Sequence, residues 1–292
     1  VNNGGTSLAA ADYIAKWDGV NWSTLGSNGA GGGSLNSSPY VITVSGANVY
    51  VGGAFTDVNN GGTILGAADY IAKWDGINWS ALGSNGAADS SLPPGSYIAA
   101  IAVSGTDVYA GGYFANLNNN GTVLGAADNI AKWDALTGNW SALGSNGAGD
   151  GALWSGDVRA IVVSGTDVYI GGSFYDVKNN SNVYLFQADH VARFDGSQWL
   201  PLSSDGMGGG SLKTWVTTMS ASGGDLLVGG FFMDASNNGA IVKEADYLAA
   251  YGMPTTPDTT PPTVVSITRA DPSPTSAATV NFTDTFSESV TG

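Results

Sequence analysis

The sequence predicts an all-β protein, a β-propeller of four-stranded blades with about 57–61 residues per repeat. The main observation is that the stretch ADYIAKWDGINWSALGSNG, residues 68–86, returns along the chain. A second observation is that no segment carries the 3.6-residue apolar period of a helix, so strands must build the core. The aromatic residues that mark the copies lie 57, 59, 61 and 57 positions apart, at Trp17, Trp74, Trp133, Phe194 and Tyr251.

Each repeat divides into four strand-like runs. In one copy these are residues 158–165, 167–174, 190–196 and 198–203. The runs are rich in β-branched and aromatic residues and are separated by Gly, Ser, Asn and Asp. The first run is apolar on both faces, which predicts a strand buried between stacked sheets. The second run ends in a Gly-Gly pair, which lets a neighbouring chain segment approach closely.

Charge and composition exclude several classes of function. The 292 residues include 24 acidic and 9 basic ones, for a net charge of −15, so a nucleic-acid partner is not expected. No cysteine is present, which excludes disulfides, thiolate metal sites and cysteine nucleophiles. No apolar run approaches the roughly 18 residues of a membrane helix, so we predict no membrane span.

The strand pattern resembles the kelch-type blade. An apolar strand ending in Gly-Gly precedes an aromatic strand, and a tryptophan follows on the fourth strand, at Trp22, Trp79, Trp140 and Trp199. The resemblance covers residues 1–252 and implies a propeller with three complete blades and partial blades at both ends. A long Asn- and Gly-rich insertion between strands two and three departs from kelch. It looks more like the glycine-rich repeats of bacterial secreted and surface proteins.

The repeats alone do not determine the number of blades in the ring. VNNGGTSL at Val1 matches VNNGGTIL at Val58, so the sequence opens inside a repeat. Pairing of the end strands would close a ring of four blades with one strand spare. A larger ring would include upstream sequence, and this is the arrangement that we favour.

The composition changes after residue 252. Residues 253–262 are rich in proline and threonine, which predicts an extended linker. Residues 263–292 alternate like two strands and resemble the start of a bacterial Ig-like domain, so we predict a partial Ig-like β module there. So short a segment cannot complete a sandwich. We expect its strands to dock on a neighbouring subunit or to belong to a domain whose remainder is unseen.

Two sets of repeated residues are interpreted as structural. The fourth-strand tryptophans are expected to wedge between blades, although an exposed platform for sugars is the alternative. A basic residue precedes an aspartate by two positions in each repeat. Because positions i and i+2 share a strand face, this predicts a Lys–Asp ladder. Its basic members are Lys16, Lys73, Lys132 and Arg193, and its acidic members are Asp18, Asp75, Asp134 and Asp195.

The insertion carries the most specific pattern for a metal. Side-chain oxygens at alternate positions, followed by glycine, are close to the opening of a calcium loop. The candidate ligands are Asp57, Asn59, Asn116, Asn118, Asn120, Asp234, Ser236 and Asn238, with Asp69, Asp128 and Asp246 closing the loops. Lys178 weakens the remaining copy, and the bidentate glutamate is missing. Asn-Gly clusters also form ordinary turns, so calcium as cofactor and a plain loop both stay open.

Catalytic patterns are absent from the sequence. A kelch-like copper-radical oxidase needs cysteine and paired histidines, whereas this chain has only His190, which we interpret as strand packing. A sialidase needs an arginine cluster, and the propeller repeats contain only Arg159 and Arg193. No residue is therefore assigned a catalytic or cofactor-binding role.

These observations predict a non-enzymatic, structural or adhesive module of a larger extracellular or cell-surface protein. Its expected partners are other copies of itself, surface proteins or glycans. The alternative is a polysaccharide-active or carbohydrate-binding propeller that uses loop aspartates and aromatic residues.

Overall fold

The computed structural model describes residues 1–153, 155–254, 264–269 and 282–286. The chain divides into two compact units, Val1–Met253 and Pro254–Gly292. Within the described residues, helical structure is limited to two 3-10 turns, Gly66–Ala68 and Phe186–Ala188. The predicted all-β class and the β-propeller of four-stranded blades are confirmed.

Two hairpins precede the complete blades. Their strands are β1 (Asn2–Asn3), β2 (Thr6–Ser7), β3 (Lys16–Trp17) and β4 (Trp22–Ser23). β3 and β4 correspond to the third and fourth strands of a blade, and they pair only with each other. This pair is called the N-terminal hairpin below.

The first blade shows the plan that the others repeat. Its strands are β5 (Pro39–Ser45), β6 (Asn48–Gly53), β7 (Val58–Asn60), β8 (Thr63–Leu65), β9 (Ile71–Trp74) and β10 (Trp79–Ala81). β5, β6, β9 and β10 form one antiparallel sheet in that order, whereas β7 and β8 form a separate hairpin, the insertion hairpin.

The second and third blades have the same topology. The second contains β11 (Tyr97–Ser104), β12 (Asp107–Tyr113), β13 (Leu117–Asn119), β14 (Thr122–Leu124), β15 (Ile130–Asp134) and β16 (Asn139–Ala142). The third contains β17 (Val158–Ser164), β18 (Asp167–Gly172), β19 (Val177–Lys178), β20 (Tyr184–Leu185), β21 (Val191–Phe194) and β22 (Trp199–Pro201). In each blade the third and fourth strands of this series form the insertion hairpin.

The fourth blade has three strands in its sheet. Its elements are β23 (Val216–Ser222), β24 (Asp225–Gly230), β25 (Ala235–Asn237), β26 (Ala240–Val242) and β27 (Leu248–Gly252). β24 pairs with β27, so the N-terminal hairpin does not join this sheet.

The blades stack face to face through their first two strands. A methyl group placed on Gly52 would lie 2.5 Å from the Ile98 side chain of the next blade, and one on Gly111 would lie 2.6 Å from Val158. The Gly-Gly pairs are thus required for close packing, as the sequence indicated. Isoleucine and valine side chains of the following blade fill the space that these glycines leave.

The fourth-strand tryptophans lock each blade to the one before it. The indole Nε1 groups of Trp79, Trp140 and Trp199 donate to the carbonyls of Leu25, Leu82 and Leu143, at 2.8, 2.7 and 2.7 Å. All three side chains are buried. The burial of each indole stabilises the fold by roughly 2–3 kcal/mol. The interpretation of these residues as inter-blade wedges therefore holds, whereas Trp22 of the N-terminal hairpin remains exposed.

Each basic residue of the predicted Lys–Asp ladder helps to lower the pKa of the aspartate two positions later, but no ion pair joins the two among the described residues. Lys132 pairs with Asp107 at 3.0 Å, and Arg193 pairs with Asp167 at 3.2 Å, both on the neighbouring second strand. The aspartate two residues after the basic position instead accepts backbone amides of its own turn. Asp75, for example, accepts the amides of Ile77 and Asn78 at 2.8 and 2.7 Å. Turn formation uses the carboxylate locally, because Asp readily bonds to the backbone two residues ahead.

The second unit is described at two paired strands, β28 (Val264–Arg269) and β29 (Phe282–Phe286). The predicted linker, residues 253–262, falls outside the described residues from 255 onward. Most of the predicted Ig-like module, residues 263–292, also falls outside them, so that module remains a prediction.

Candidate functional site

The insertion hairpins hold the predicted calcium ligands, and their oxygens already serve the hairpin backbone. Asn59 Oδ1 accepts the amide of Gly62 at 2.7 Å, and Asn118 Oδ1 accepts that of Gly121 at 2.8 Å. Alternate positions lie along a paired strand, not around a common centre. These contacts are those of ordinary Asx turns.

The closing aspartates fix the start of each insertion hairpin. Asp69, Asp128 and Asp246 accept the backbone amides of Asp57, Asn116 and Asp234 respectively. Each of these donor residues has a positive φ, between 51° and 61°. Asn and Asp tolerate this left-handed conformation better than other side chains. Asn238 and Asn120 also have positive φ, whereas Ser236 lies on β25.

Among the described residues, no three His, Cys, Asp or Glu side chains come together as a metal-binding group. Calcium is therefore kept as a prediction and has no preformed cluster of carboxylates in its favour.

One acidic pair differs from the rest. Burial and the side-chain hydrogen bond with Asp150 together raise the pKa of Asp128 to about 6, against the opposing backbone amides. Both carboxyl groups line a cavity of about 520 Å³ together with Ser96, Tyr113 and Lys178. Lys178 donates to Asn182 Oδ1 at 2.9 Å and lies 4.4 Å from the Tyr184 ring centre. A carboxyl group titrating near neutral pH beside a second acid can donate or accept a proton.

A second group of side chains crosses four blades at the start of the first strands. Tyr97 forms an edge-to-face pair with Tyr40 and stacks on Tyr113, both with ring centres 5.9 Å apart. The Tyr97 hydroxyl donates to Asp157 Oδ2 at 2.8 Å. Tyr40, Tyr113 and Trp215 are exposed. The group Tyr40, Tyr97, Tyr113, Asp157, Arg159 and Trp215 is called the inner rim below.

Asp157 is the polar centre of the inner rim. Arg159 Nε donates to both of its carboxylate oxygens at 3.0 Å, and the Ser173 hydroxyl donates to it as well. Burial opposes ionisation, but the hydrogen bonds from Ser173, Arg159 and Tyr97 together hold the pKa of Asp157 below its usual value. The Arg159 guanidinium lies 4.8 Å from the Trp215 ring centre. The group therefore presents a fixed cation against the exposed ring of Trp215.

Burial and then the hydrogen bond to Asp157 raise the pKa of the Tyr97 hydroxyl to about 12. This hydroxyl therefore acts as a hydrogen-bond donor at neutral pH and not as a base. The inner rim can accordingly bind a polar ligand with an apolar face, but it offers no activated nucleophile.

Sequence reasoning missed the inner rim because it looked for residues that recur. The sheet register places Tyr97, Asp157 and Trp215 at one position, directly before the residue opposite the second glycine of each pair. Tyr40 and Arg159 share another position two residues later. Variation at fixed positions of an otherwise regular repeat was the available signal.

His190 is not packed within a strand. It lies directly before β21 with a φ of 64°, and its buried Nδ1 has no hydrogen-bond partner among the described residues. Burial lowers its pKa. Tyr13, Tyr70, Asn129 and Tyr247 adopt the same left-handed conformation in the other repeats.

Comparisons with known proteins identify no family for this chain. No protein-family model and no curated protein matches the chain. The chain is similar to the computationally designed Ika4 protein, at 14% identity and a TM-score of 0.35, over 75% of this chain and 93% of the other. It is also similar to the designed Ika8 protein, at 14% identity and a TM-score of 0.25, over 75% and 89%. No helix in the described part of the chain is long and apolar enough to span a membrane.

Proposed function

We propose that this chain is a non-enzymatic adhesive module of a larger extracellular or cell-surface protein, and that the inner rim is its contact surface. The supporting observation is the continuous group of exposed aromatic rings and one guanidinium across four blades. Repeated residues elsewhere are used in blade packing and turns. The inner rim is instead built from positions that differ between blades.

Glycans are the ligand class that we propose for the inner rim. The apolar face of a sugar ring stacks on Tyr or Trp, while its hydroxyl groups need donors and acceptors nearby. Tyr113 and Trp215 supply rings, Arg159 supplies a donor, and Asp157 fixes that donor in place. The other partner class consistent with adhesion is an exposed loop of another surface protein, one that offers an apolar face and polar groups as a sugar does.

A glycan array with the full chain and single variants tests this proposal. Trp215→Ala and Tyr113→Ala should each reduce binding at least about tenfold, because each removes one stacking surface. Leu136→Ala is a matched control, since Leu136 is also exposed but lies in the β15–β16 turn. Equal binding by all variants would remove the inner rim as the contact surface.

A polysaccharide-active enzyme is the second candidate, favoured by the Asp128–Asp150 pair in its cavity. Asp128, with a pKa of about 6, would serve as general acid and Asp150 would be the second carboxyl group of the pair. Turnover of a glycan panel by the wild-type chain, lost in Asp128→Asn, would establish this function. An array signal without turnover would favour the adhesive module.

Calcium binding by the insertion hairpins is also proposed. The ion would use Oδ2 of Asp69 and Asp246 with backbone carbonyls, because Asn59 and Asn118 already accept glycine amides and both oxygens of Asp128 accept backbone amides. Native-state binding at millimolar calcium would raise the melting temperature, and chelation would reverse the increase. An unchanged melting temperature would leave the hairpins as turns only.

A further inference from the structure

The first blade exposes a face that the second and third blades cover at least in part. Ile42 and Val44 on β5 are 51% and 66% exposed. The sheet register places Ile42 at the position of Ile101 in the second blade and Ile161 in the third. Those side chains pack against the preceding blade, where Ile101 is buried. The exposed face of β5 therefore has the composition of an inter-blade interface.

The fourth blade exposes the opposite face of the same kind of interface. Leu248 is 62% exposed, although the residues at its position in the complete blades, Ile71, Ile130 and Val191, are all 2% exposed. Thr218 on β23 is also exposed, whereas its counterpart Ala100 is buried beneath the third blade. A methyl group placed on Gly229 meets no side chain of a following blade, unlike one on Gly52 or Gly111.

The two faces also carry matching hydrogen-bonding groups. Between the first and second blades, the Thr43 hydroxyl donates to the Ile101 carbonyl at 2.8 Å. Ser220 holds the position of Thr43 in the fourth blade, and Ile42 holds that of Ile101 in the first. An inter-blade contact between these faces would let Ser220 donate to the Ile42 carbonyl.

The fourth strands provide a second pair of matching groups, a tryptophan indole and a carbonyl acceptor. Trp22 lies at the position of the three locking tryptophans. Leu202 follows β22 at the position of their carbonyl acceptors, and no indole among the described residues donates to it. The N-terminal hairpin of one molecule, set beside the fourth blade of another, would bring Trp22 to Leu202. The same placement brings Ser220 to Ile42, so one arrangement satisfies both contacts.

We propose that the fourth-blade face binds the β5 face of a second copy of this chain, head to tail, as a further inter-blade interface. The contact reproduces the packing found three times within one molecule. Both faces carry exposed apolar side chains among the described residues of Val1–Met253, at Ile42 and Val44 on one and at Leu248 on the other. In this arrangement the fourth blade of one copy and the N-terminal hairpin of the next would form one shared blade. Because β3 and β27 both correspond to its third strand, only one of the two would pair with β24.

Sedimentation or light scattering of the full chain at rising concentration tests the proposal. We expect an assembly of at least twice the 29.5 kDa chain mass. Ile42→Asp and Thr218→Asp should each reduce it to the monomer, because every head-to-tail contact uses both faces. Neither residue is buried in the monomer, so both variants should fold. Ile77→Asp, at an exposed turn away from either face, should leave the mass unchanged.

Mixing the two variants distinguishes head-to-tail contact from symmetric contact. Ile42→Asp keeps an intact fourth-blade face, and Thr218→Asp keeps an intact β5 face, so an equimolar mixture should recover a dimer. A monomer at every concentration in the wild-type chain would overturn the proposal. Loss of assembly in Ile42→Asp alone, with Thr218→Asp unaffected, would also overturn it, because the β5 face would then bind itself.

Discussion

The interfaces between blades and the inner rim use neighbouring residues of the same strands in opposite ways. Between blades, the same residue types recur: glycine on the second strand, isoleucine or valine on the first, tryptophan on the fourth. At the inner rim, one position holds Tyr97, Asp157 and Trp215 in successive blades. Repetition therefore marks residues that hold the blades together. Variation marks the surface on which the blades can differ in binding.

The largest expected effect tests the repeated part of this comparison. Trp140→Ala removes a buried indole and its hydrogen bond to Leu82, and leaves a cavity between two blades. We expect a loss of about 3–5 kcal/mol in the free energy of unfolding, measured with urea. Trp22→Ala is the matched control at the same repeat position but exposed, and it should cost less than about 1 kcal/mol. Equal losses would refute the locking role.

The next effect tests the close approach at the glycine pairs. In Gly111→Ala, the new methyl group would lie 2.6 Å from the Val158 side chain and 3.0 Å from Ile161. Overpacking of this kind costs about 1–3 kcal/mol. Gly252→Ala is the control, since the nearest atom to its methyl group is a carboxylate oxygen 3.9 Å away. Thermal melts of both variants would sharpen the comparison if only the first were destabilised.

Much of the fold could be predicted from these recurring residues. The repeat gave the strand order, the Asp-Gly turns and the buried tryptophans, because each follows from local pattern and burial. The repeat predicted the wrong ion-pair partner for Lys132. Its partner Asp107 lies on the neighbouring strand, so the contact is set by the pairing register of the two strands and not by the spacing of residues along one strand. Variation at fixed repeat positions could have pointed to the inner rim, but not its contacts, because Tyr97 and Asp157 lie 60 residues apart and meet only when two blades stack.

A smaller effect is expected at the polar centre of the inner rim. Hydrogen bonds hold the pKa of Asp157 below its usual value, so its ionised form stabilises the native state above about pH 4. That contribution is lost as the pH falls through the lowered pKa. Asp157→Asn should cost about 1–3 kcal/mol at pH 7, since Arg159 loses its partner, and little at acid pH. Urea unfolding from pH 7 down to the most acid pH at which the protein stays folded measures the difference, and a loss that does not decrease toward acid pH would contradict it.

The smallest effect should come from Asp128, and its sign is opposite. Burial and Asp150 raise the pKa of Asp128 to about 6, so the native state favours the protonated acid. Its contribution to stability is complete below the unfolded pKa of about 4 and is lost as the pH rises to about 6. Asp128→Asn should remove this pH-dependent loss of stability, and so stabilise the protein at pH 7 by about 1 kcal/mol. Urea unfolding of both proteins at pH 4 and pH 7 measures the effect.

Asp189 provides the matched control for Asp128, because it holds the same repeat position. Burial raises its pKa as well, but no counterpart of Asp150 is present there, since Gly209 takes that position, and the charge of Lys213 opposes the increase. Asp189→Asn should therefore change the pH dependence of stability less than Asp128→Asn does. A larger change at Asp189 would mean that burial alone, and not the neighbouring acid, sets the difference between the two blades. The Asp128–Asp150 cavity would then lose the feature that distinguishes it from its sister in the third blade.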